Sequence, residues 1–536
     1  MSRLDPVTME LIRNAVLAAA EEMRFIVMRS ARAPLLKEAG DLSCVLTDGQ
    51  GRLIAQGKDI PVHLGVMAFT VKEFLKRVSA QELHPGDVYL TNLPEIGGNH
   101  LPDVKAIRPV FLEGEVVAFA VCLAHWPDTG GALPGSYVPD AAETYQEGLR
   151  IPPVRIFQAD RLVRETLDFI LENVRGREER EGDILGQYAS QTVAETRLLD
   201  IFGQWGRGTV LAAFQRMQEE SEIRMRRAVT AIPDGVYEGE DSMDPFAEGE
   251  DPLPIRVTIR IRGDEAEFDF SGTAPPAPFP INTTPFIAAA SVFYSMKVLV
   301  GEGIPMNDGC CRPLILHVPE DTLLNPGREA ARVGGNHETS QRVVDAVFRA
   351  LAPVLPDRIT AGGPTTSGLT LFSGRRADGS TFILYEVHAG GEGAAAHRDG
   401  SHATRVHMSN VMNTPIESLE AEYPMRVESY SLRDGSGGAG GRRGGLGVRR
   451  RYRMLAPEAR VTTMLEREQI PPWGAFGGES GETFRVTLNP GKNGRRIKGK
   501  ETVSLAQGDV VLVESSGGGG YGPPEEAPGP EGSSKG

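Results

Sequence analysis

Two His-x-x-Asp tetrads fall within 29 residues of each other. The first, His100-Leu101-Pro102-Asp103, follows Gly97-Gly98-Asn99. The second, His125-Trp126-Pro127-Asp128, precedes Thr129-Gly130-Gly131. Imidazole nitrogen and carboxylate oxygen together suit zinc, manganese or iron, without choosing among them. Three such ligands plus a water make a catalytic centre rather than a structural one. A metal held this way lowers the pKa of its water and polarises a carbonyl or phosphoryl oxygen. The plainer alternative is a pair of hydrogen-bonded loop histidines, and spacing alone leaves both readings open. Asp41 and His63 are further candidates nearby. His63 sits in the apolar run Ile60-Pro61-Val62-His63-Leu64 and reads as a core histidine.

Other polar groups lie in the second half. Gly334-Gly335-Asn336-His337-Glu338 opens a helix-like stretch. Free backbone N–H groups there suit an anion or oxyanion, or a simple capped turn. Two nucleotide-binding patterns lack their context. Gly494 to Lys500 matches G-x-x-x-x-G-K, but Glu501 follows where Ser or Thr is needed. Gly435-x-Gly437-x-x-Gly440 has no strand–turn–helix setting. No G-x-S-x-G elbow occurs.

The elements that must carry these residues read as mixed α and β. Apolar residues from Ile12 to Val27 recur at helical steps. Residues 43–47 and 52–55 flank a turn as a hairpin, and 88–91, 107–111 and 116–123 are strand-like. Residues 69–78 and 165–231 read as helical. The alternation of Ile255, Val257, Ile259 and Ile261 marks strands. Helical patterns return at 281–299 and 341–351, and 448–515 is β-rich. The expected architecture is α+β and multi-domain, with Gly-rich loops around a metal site. The expected division is a metal-site region at 1–240, an α+β region at 241–522 and a disordered tail at 523–536.

Composition narrows the function classes. The 536 residues carry 57 Lys and Arg against 72 Asp and Glu, a formal charge of −15. That balance argues against a nucleic-acid binder, which would show a basic face. The four cysteines, at 44, 122, 310 and 311, show no C-x-x-C spacing and read as small core residues. No basic segment followed by an apolar stretch opens the chain, and no uncharged apolar run reaches membrane-spanning length, so a cytoplasmic location is expected.

Ten blocks together resemble the hydantoinase B / 5-oxoprolinase family. They include Asp5-Pro6-Val7-Thr8, Lys37 through Cys44, Ile60 through Gly65, Gly97 through Asp103 and Glu147 through Pro153. Further blocks are Asp269 through Thr273, Gly334 through Ser340, Asn413 through Glu417, Arg442 through Gly447 and Gly517 through Gly522. The resemblance implies a cyclic amide hydrolase, acting on a hydantoin, 5-oxoproline or a lactam. A partner, the hydantoinase A-type subunit, would bind ATP and phosphorylate the substrate carbonyl, so a hetro-oligomer with no nucleotide site of its own on this chain is expected. It also implies a divalent transition metal (Zn, Mn or Fe) held by Asp41, His100, Asp103 and His125. Asp128 is then the expected proton acceptor and Asn336 the oxyanion donor. Related alternatives are a subunit of an acetone-type carboxylase and a non-catalytic scaffold for a partner ATPase. One departure stands out: Leu93 occupies a position where the family commonly has Asp.

Overall fold

Asp5 starts the first helix by accepting a hydrogen bond from the Thr8 amide at 3.0 Å. Such a cap contributes about 1 kcal/mol. Pro6 takes the first helical position, where no N–H is needed. Helix α1 (Pro6–Ser30) buries Met9, Ile12, Val16, Ala19, Met23 and Val27 along one stripe. The short α2 (Pro34–Lys37) leads into β1 (Leu42–Asp48), β2 (Leu53–Gln56) and α3 (Pro61–Leu75). Strands β3 (Val88–Thr91), β4 (Asp103–Leu112), β5 (Glu115–His125), β6 (Val154–Gln158) and β7 (Arg161–Leu162) follow. They complete a seven-stranded sheet in the order β2-β1-β5-β4-β3-β6-β7, antiparallel throughout. This computed structural model describes residues 5–247, 249–491 and 493–524. Of the disordered tail expected at 523–536, residues 525–536 lie outside the described residues.

Helices α4 (Arg164–Asn173), α5 (Arg177–Trp205) and α6 (Arg207–Val229) come next. Both faces of the large sheet are covered. Side chains alternate along a strand, so Ala118, Ala120, Cys122 and Ala124 of β5 share a core with α1 and α5. Phe119, Val121 and Leu123 point the other way, into a core with α3. Cys44 lies opposite Cys122 across the β1–β5 pair, buried on the α1 side. This parity decides where the chemistry sits. Asp103 pairs with His125 across β4 and β5. Both share the parity of Ile107, Val121 and Leu123, on the α3 side.

The chain then forms β8 (Gly235–Met243), β9 (Leu253–Arg262), β10 (Glu265–Asp269), α7 (Pro285–Leu299), α8 (Asp308–Cys311) and β11 (Leu314–His317). The acidic stretch 238–251, where the boundary is expected, holds β8 and the loop after it. These strands form a sheet in the order β11-β10-β9-β8. Helix α9 (Thr339–Leu351) packs on β8 and β9. Helix α7 crosses α3 so closely that a Cβ on Gly65 would lie 2.3 Å from the Ala290 Cβ. Only glycine permits that approach. The largest core draws on β1, α3 and β5 as well as β9, α7 and α9.

The remaining elements are β12 (Leu369–Arg375), β13 (Thr381–Glu386), α10 (Ile416–Glu422), β14 (Met425–Leu432), β15 (Val448–Met454), β16 (Glu458–Met464), β17 (Arg485–Leu488), β18 (Arg495–Ile497), β19 (Lys500–Ala506) and β20 (Val510–Glu514). They form two sheets, β13-β12-β16-β19 and β14-β15-β20-β17-β18. Phe372, Leu384, Val461 and Val503 of the first share a core with Tyr452, Val486, Val511 and Val513 of the second. The architecture is thus α+β, with helices layered on several sheets. Both discarded nucleotide patterns have structural explanations. Residues 494–500 span strand β18 and the start of β19, with no helix following. A Cβ on Gly437 would lie 2.1 Å from the Gly444 carbonyl oxygen, so that run is glycine-rich for close backbone packing. No helix among the described residues is long and apolar enough to cross a membrane.

Candidate metal centre

Three imidazoles and two carboxylates converge beneath the large sheet. Asp103 is their hub. Its Oδ1 lies 2.8 Å from His100 Nε2 and 3.0 Å from His125 Nδ1. Its Oδ2 lies 3.5 Å from His63 Nε2, and His63 Nε2 lies 3.8 Å from Asp41 Oδ1. Every one of these side chains is buried. The start of β4 supplies Asp103, the end of β5 His125, the first turn of α3 His63, and the approach to β1 Asp41. His100 comes from the turn before β4.

The histidines are oriented from behind. His100 Nδ1 lies 3.0 Å from the Val333 carbonyl oxygen. A carbonyl only accepts, so Nδ1 carries a proton, and Nε2 is the nitrogen turned toward Asp103 Oδ1. His63 Nδ1 contacts Ser43 Oγ at 3.3 Å, which leaves its Nε2 facing the carboxylates. Metal-ligating histidines are held in this way.

Burial and charge act against each other here. Burial disfavours the Asp103 carboxylate, yet His100 and His63 and the hydrogen bonds from His100 and His125 hold its pKa well below the usual range. Burial raises Asp41 to about 6, against the pull of His63. It also lowers His63 and His125, with Asp103 opposing in both cases. For His100 burial again disfavours the charged ring, but Asp103 outweighs it and the pKa is raised. Asp103 is therefore the fixed negative charge around which the three imidazoles gather.

The donor set fits a divalent transition metal. His100, Asp103 and His125 each offer a ligand atom, all within 4.8 Å of one another. His125 Nε2 is buried without any hydrogen-bond partner. A buried polar atom left unpaired costs about 1–3 kcal/mol, and a cation accepting its lone pair would remove that cost. Nitrogen and carboxylate donors suit Zn, Mn or Fe. The cavity among these residues measures about 30 Å³, room for an ion and a water but not for an organic substrate.

The expected site residues fare differently. Asp41, His100, Asp103 and His125 are brought together. Asn336 joins them, its Nδ2 standing 3.2 Å from both His100 Nε2 and Asp103 Oδ2. Asp128, the expected proton acceptor, does not join them. Its carboxylate accepts from the amides of Gly130, Gly135 and Arg175 and pairs with Arg175 Nη1 at 3.0 Å. It organises the loop after β5. His63 belongs to the cluster, although its apolar neighbours read as core. Leu93 is buried in the α3-side core.

A hydrogen-bonded chain runs beside the cluster. Glu338 Oε1 meets His337 Nδ1 at 2.8 Å, and His337 Nε2 meets the Tyr137 hydroxyl at 3.0 Å. Tyr137 meets the Tyr385 hydroxyl at 3.3 Å. The Tyr385 ring packs on His125 with centroids 4.9 Å apart, and Tyr385 lines the small cavity. Burial pushes Glu338 up to about 8, with Thr366 and Arg342 opposing.

Glu147 holds the segment that orients His100. Its Oε1 accepts from the Arg332 and Val333 amides, both at 2.7 Å. Burial raises its pKa to about 7, against those two hydrogen bonds. The folded pKa lies above the unfolded one. The stability Glu147 contributes is therefore complete below its unfolded pKa, near 4.5, and is lost as pH rises through about 7. Glu147→Gln keeps the accepting oxygen and cannot ionise. Urea unfolding of the metal-free chain should show wild type losing stability relative to this variant between about pH 5 and about pH 8. A difference that grows in favour of wild type with pH would contradict that assignment.

A profile of the hydantoinase B/oxoprolinase family matches residues 5–524. The chain belongs to that family. Among family members, caprolactamase subunit beta of Pseudomonas jessenii is 32% identical, over 98% of this chain and 92% of its own length. A crystal structure titled as the ATP-dependent caprolactamase of that organism superposes with a TM-score of 0.92 at 30% identity, covering 97% of this chain and 92% of that one. 5-Oxoprolinase 1 of Arabidopsis thaliana is 32% identical over 97% of this chain, which spans only 42% of that protein. A nucleotide-free acetone carboxylase structure shares the fold, with a TM-score of 0.90 at 19% identity, covering 97% of this chain and 77% of that one.

Proposed function

We propose that this chain is the metal-dependent subunit of an ATP-dependent cyclic amide hydrolase. Its substrate would be a hydantoin, 5-oxoproline or lactam whose carbonyl oxygen a partner ATPase subunit has phosphorylated. The convergence of three imidazoles on two buried carboxylates carries the reading. Names borne by relatives, caprolactamase subunit beta and 5-oxoprolinase, support the substrate class. Neither nucleotide pattern on this chain has a phosphate-binding setting, in keeping with ATP bound by the partner.

Asp41, His63, His100, Asp103 and His125 would hold the metal. A divalent cation there supplies a Lewis acid for a carbonyl or phosphoryl oxygen and lowers the pKa of water. Asp103 stays ionised and fixes His100 and His125. Asn336 directs its amide at the cluster, where it can donate to an oxygen that becomes negative. Tyr385, through Tyr137 and His337 to Glu338, offers a buried path for a proton. That path takes the role first expected of Asp128, whose oxygens are already engaged.

The test is ring opening by this chain together with its ATP-binding partner. The expected result is ADP formation coupled to opening of a cyclic amide, requiring both chains and ATP. Opening by this chain alone, or ATP turnover that depends on bicarbonate, would overturn the reading.

A further inference from the structure

Arg405 is half-buried, and its guanidinium forms no ion pair with a carboxylate among the described residues. Its Nε and Nη2 donate to Ser409 Oγ at 3.0 and 2.7 Å, and Nη2 reaches Ser367 Oγ at 3.4 Å. Its Nη1 is buried and has no partner. Arg180 pairs with Asp183 at 2.6 Å, Arg450 with Glu386 at 3.1 Å and Arg467 with Asp241 at 2.7 Å, while buried Arg332 donates to the carbonyls of Gly327, Arg328 and Ala330 instead. Asp41, Glu338 and Glu386 favour the Arg405 charge from a distance, but none forms an ion pair with it among the described residues. A guanidinium cannot shed its proton to escape this. Burying it with donors unmet is unfavourable unless an anion completes the set.

Its position says where that anion would come from. Arg405 lines the small cavity that also holds Asp41, His63, His100 and His125. It also lines a second cavity of about 640 Å³, walled by Tyr294 and Phe348 and by the ion pairs Glu392–Arg398 and Glu302–Arg358. That volume suits a small organic molecule, and the two aromatic side chains suit an apolar ring.

We propose that Arg405 is the receptor for an anionic group of a ligand that occupies the larger cavity, holding that ligand against the metal cluster. The group is an oxyanion able to accept from a guanidinium fork, either a phosphoryl group or a carboxylate. Its identity as part of the activated substrate rests on the function proposed above; the anion site itself does not.

The experiment is calorimetric titration of the purified chain, without partner or ATP, with inorganic phosphate and separately with acetate. Wild type should bind, and Arg405→Gln should weaken binding by about tenfold or more. Arg405→Lys should fall between them, and Arg449→Gln, at the surface, should match wild type. Phosphate as the tighter ligand points to a phosphoryl group, and acetate as the tighter one to a carboxylate of the substrate. Equal binding by wild type and Arg405→Gln, or no binding of either anion by wild type, would overturn the proposal. Should the variants fail to fold, wild-type crystals soaked in tungstate decide the matter. Density within hydrogen-bond distance of Nη1 supports the site, and its absence there removes it. Because the reaction plays no part in these measurements, a negative result leaves the proposed hydrolase standing. Failure of the ATP-coupled assay likewise leaves the anion site standing.

Discussion

Asp103→Asn should remove the metal and lower ATP-coupled ring opening by roughly 10³-fold or more, since several kcal/mol of charge stabilisation depends on the site. Asp103 alone contacts all three imidazoles. The Asn side chain keeps the size and loses the charge. The remaining carboxylate, Asp41, lies 3.8 Å from His63 Nε2 and forms no ion pair with His100 or His125 among the described residues, so it does not replace Asp103. The measurement is kcat with the partner chain, alongside metal content and a thermal melt of the same preparation. A variant that folds, keeps its metal and turns over normally would refute the role given to Asp103.

Arg467→Met should destabilise the chain by about 3–5 kcal/mol, because it strands two buried carboxylates. Arg467 Nη2 lies 2.7 Å from Asp241 Oδ2 on β8 and 2.7 Å from Asp345 Oδ2 on α9. Its Nε donates to Thr365 Oγ1 at 2.9 Å. Burial disfavours the charge on Asp241, yet Arg467, with Arg342 and Arg349, holds its pKa below the usual value. Asp345 also accepts from Trp473 Nε1 at 3.1 Å. The network matters to function because the segment entering α9 carries Asn336, His337 and Glu338. Adding Asp241→Asn and Asp345→Asn to the variant should recover part of the loss, since neutral amides are cheaper to bury than unpaired carboxylates. Denaturant midpoints of the single and triple variants check this. A loss under about 1 kcal/mol for the single variant would contradict it.

Much of the site was legible where periodicity and chemistry coincided. His100 and Asp103 stand three apart and meet, because the turn before β4 folds one back on the other. His125 reaches the same point through strand register, being the β5 partner of Asp103. The second tetrad carried only half its apparent meaning. Past His125 the strand ends, and Asp128 is drawn into the turn whose amides it accepts. His63 was hidden because Ile60, Val62 and its other neighbours are the residues a buried helix start requires. Its ring is buried like a core side chain and differs only in what it faces.

Residues brought in by long-range packing left no local mark. Tyr137, Tyr385 and Arg405 sit in unrelated segments, and nothing in their spacing connects them. Glu147 and His337 lay within the blocks that suggested the family, but their contacts with the segment 332–338 and with Tyr137 depend on the tertiary fold. Helix and strand positions were clearer. The stripe of α1 and the alternation of β9 follow directly from the positions of their apolar residues. The sandwich of the last two sheets was legible as β-rich sequence, but its pairing order was not, because β16 joins β12 and β19 across long intervals.

The most direct test is metal content by elemental analysis, on wild type and on a His100→Ala/His125→Ala double variant, both purified without chelator. The account predicts about one divalent transition metal per wild-type chain and none above background in the double variant. A well-folded wild-type protein that contains no metal and takes up neither zinc, manganese nor iron would contradict it.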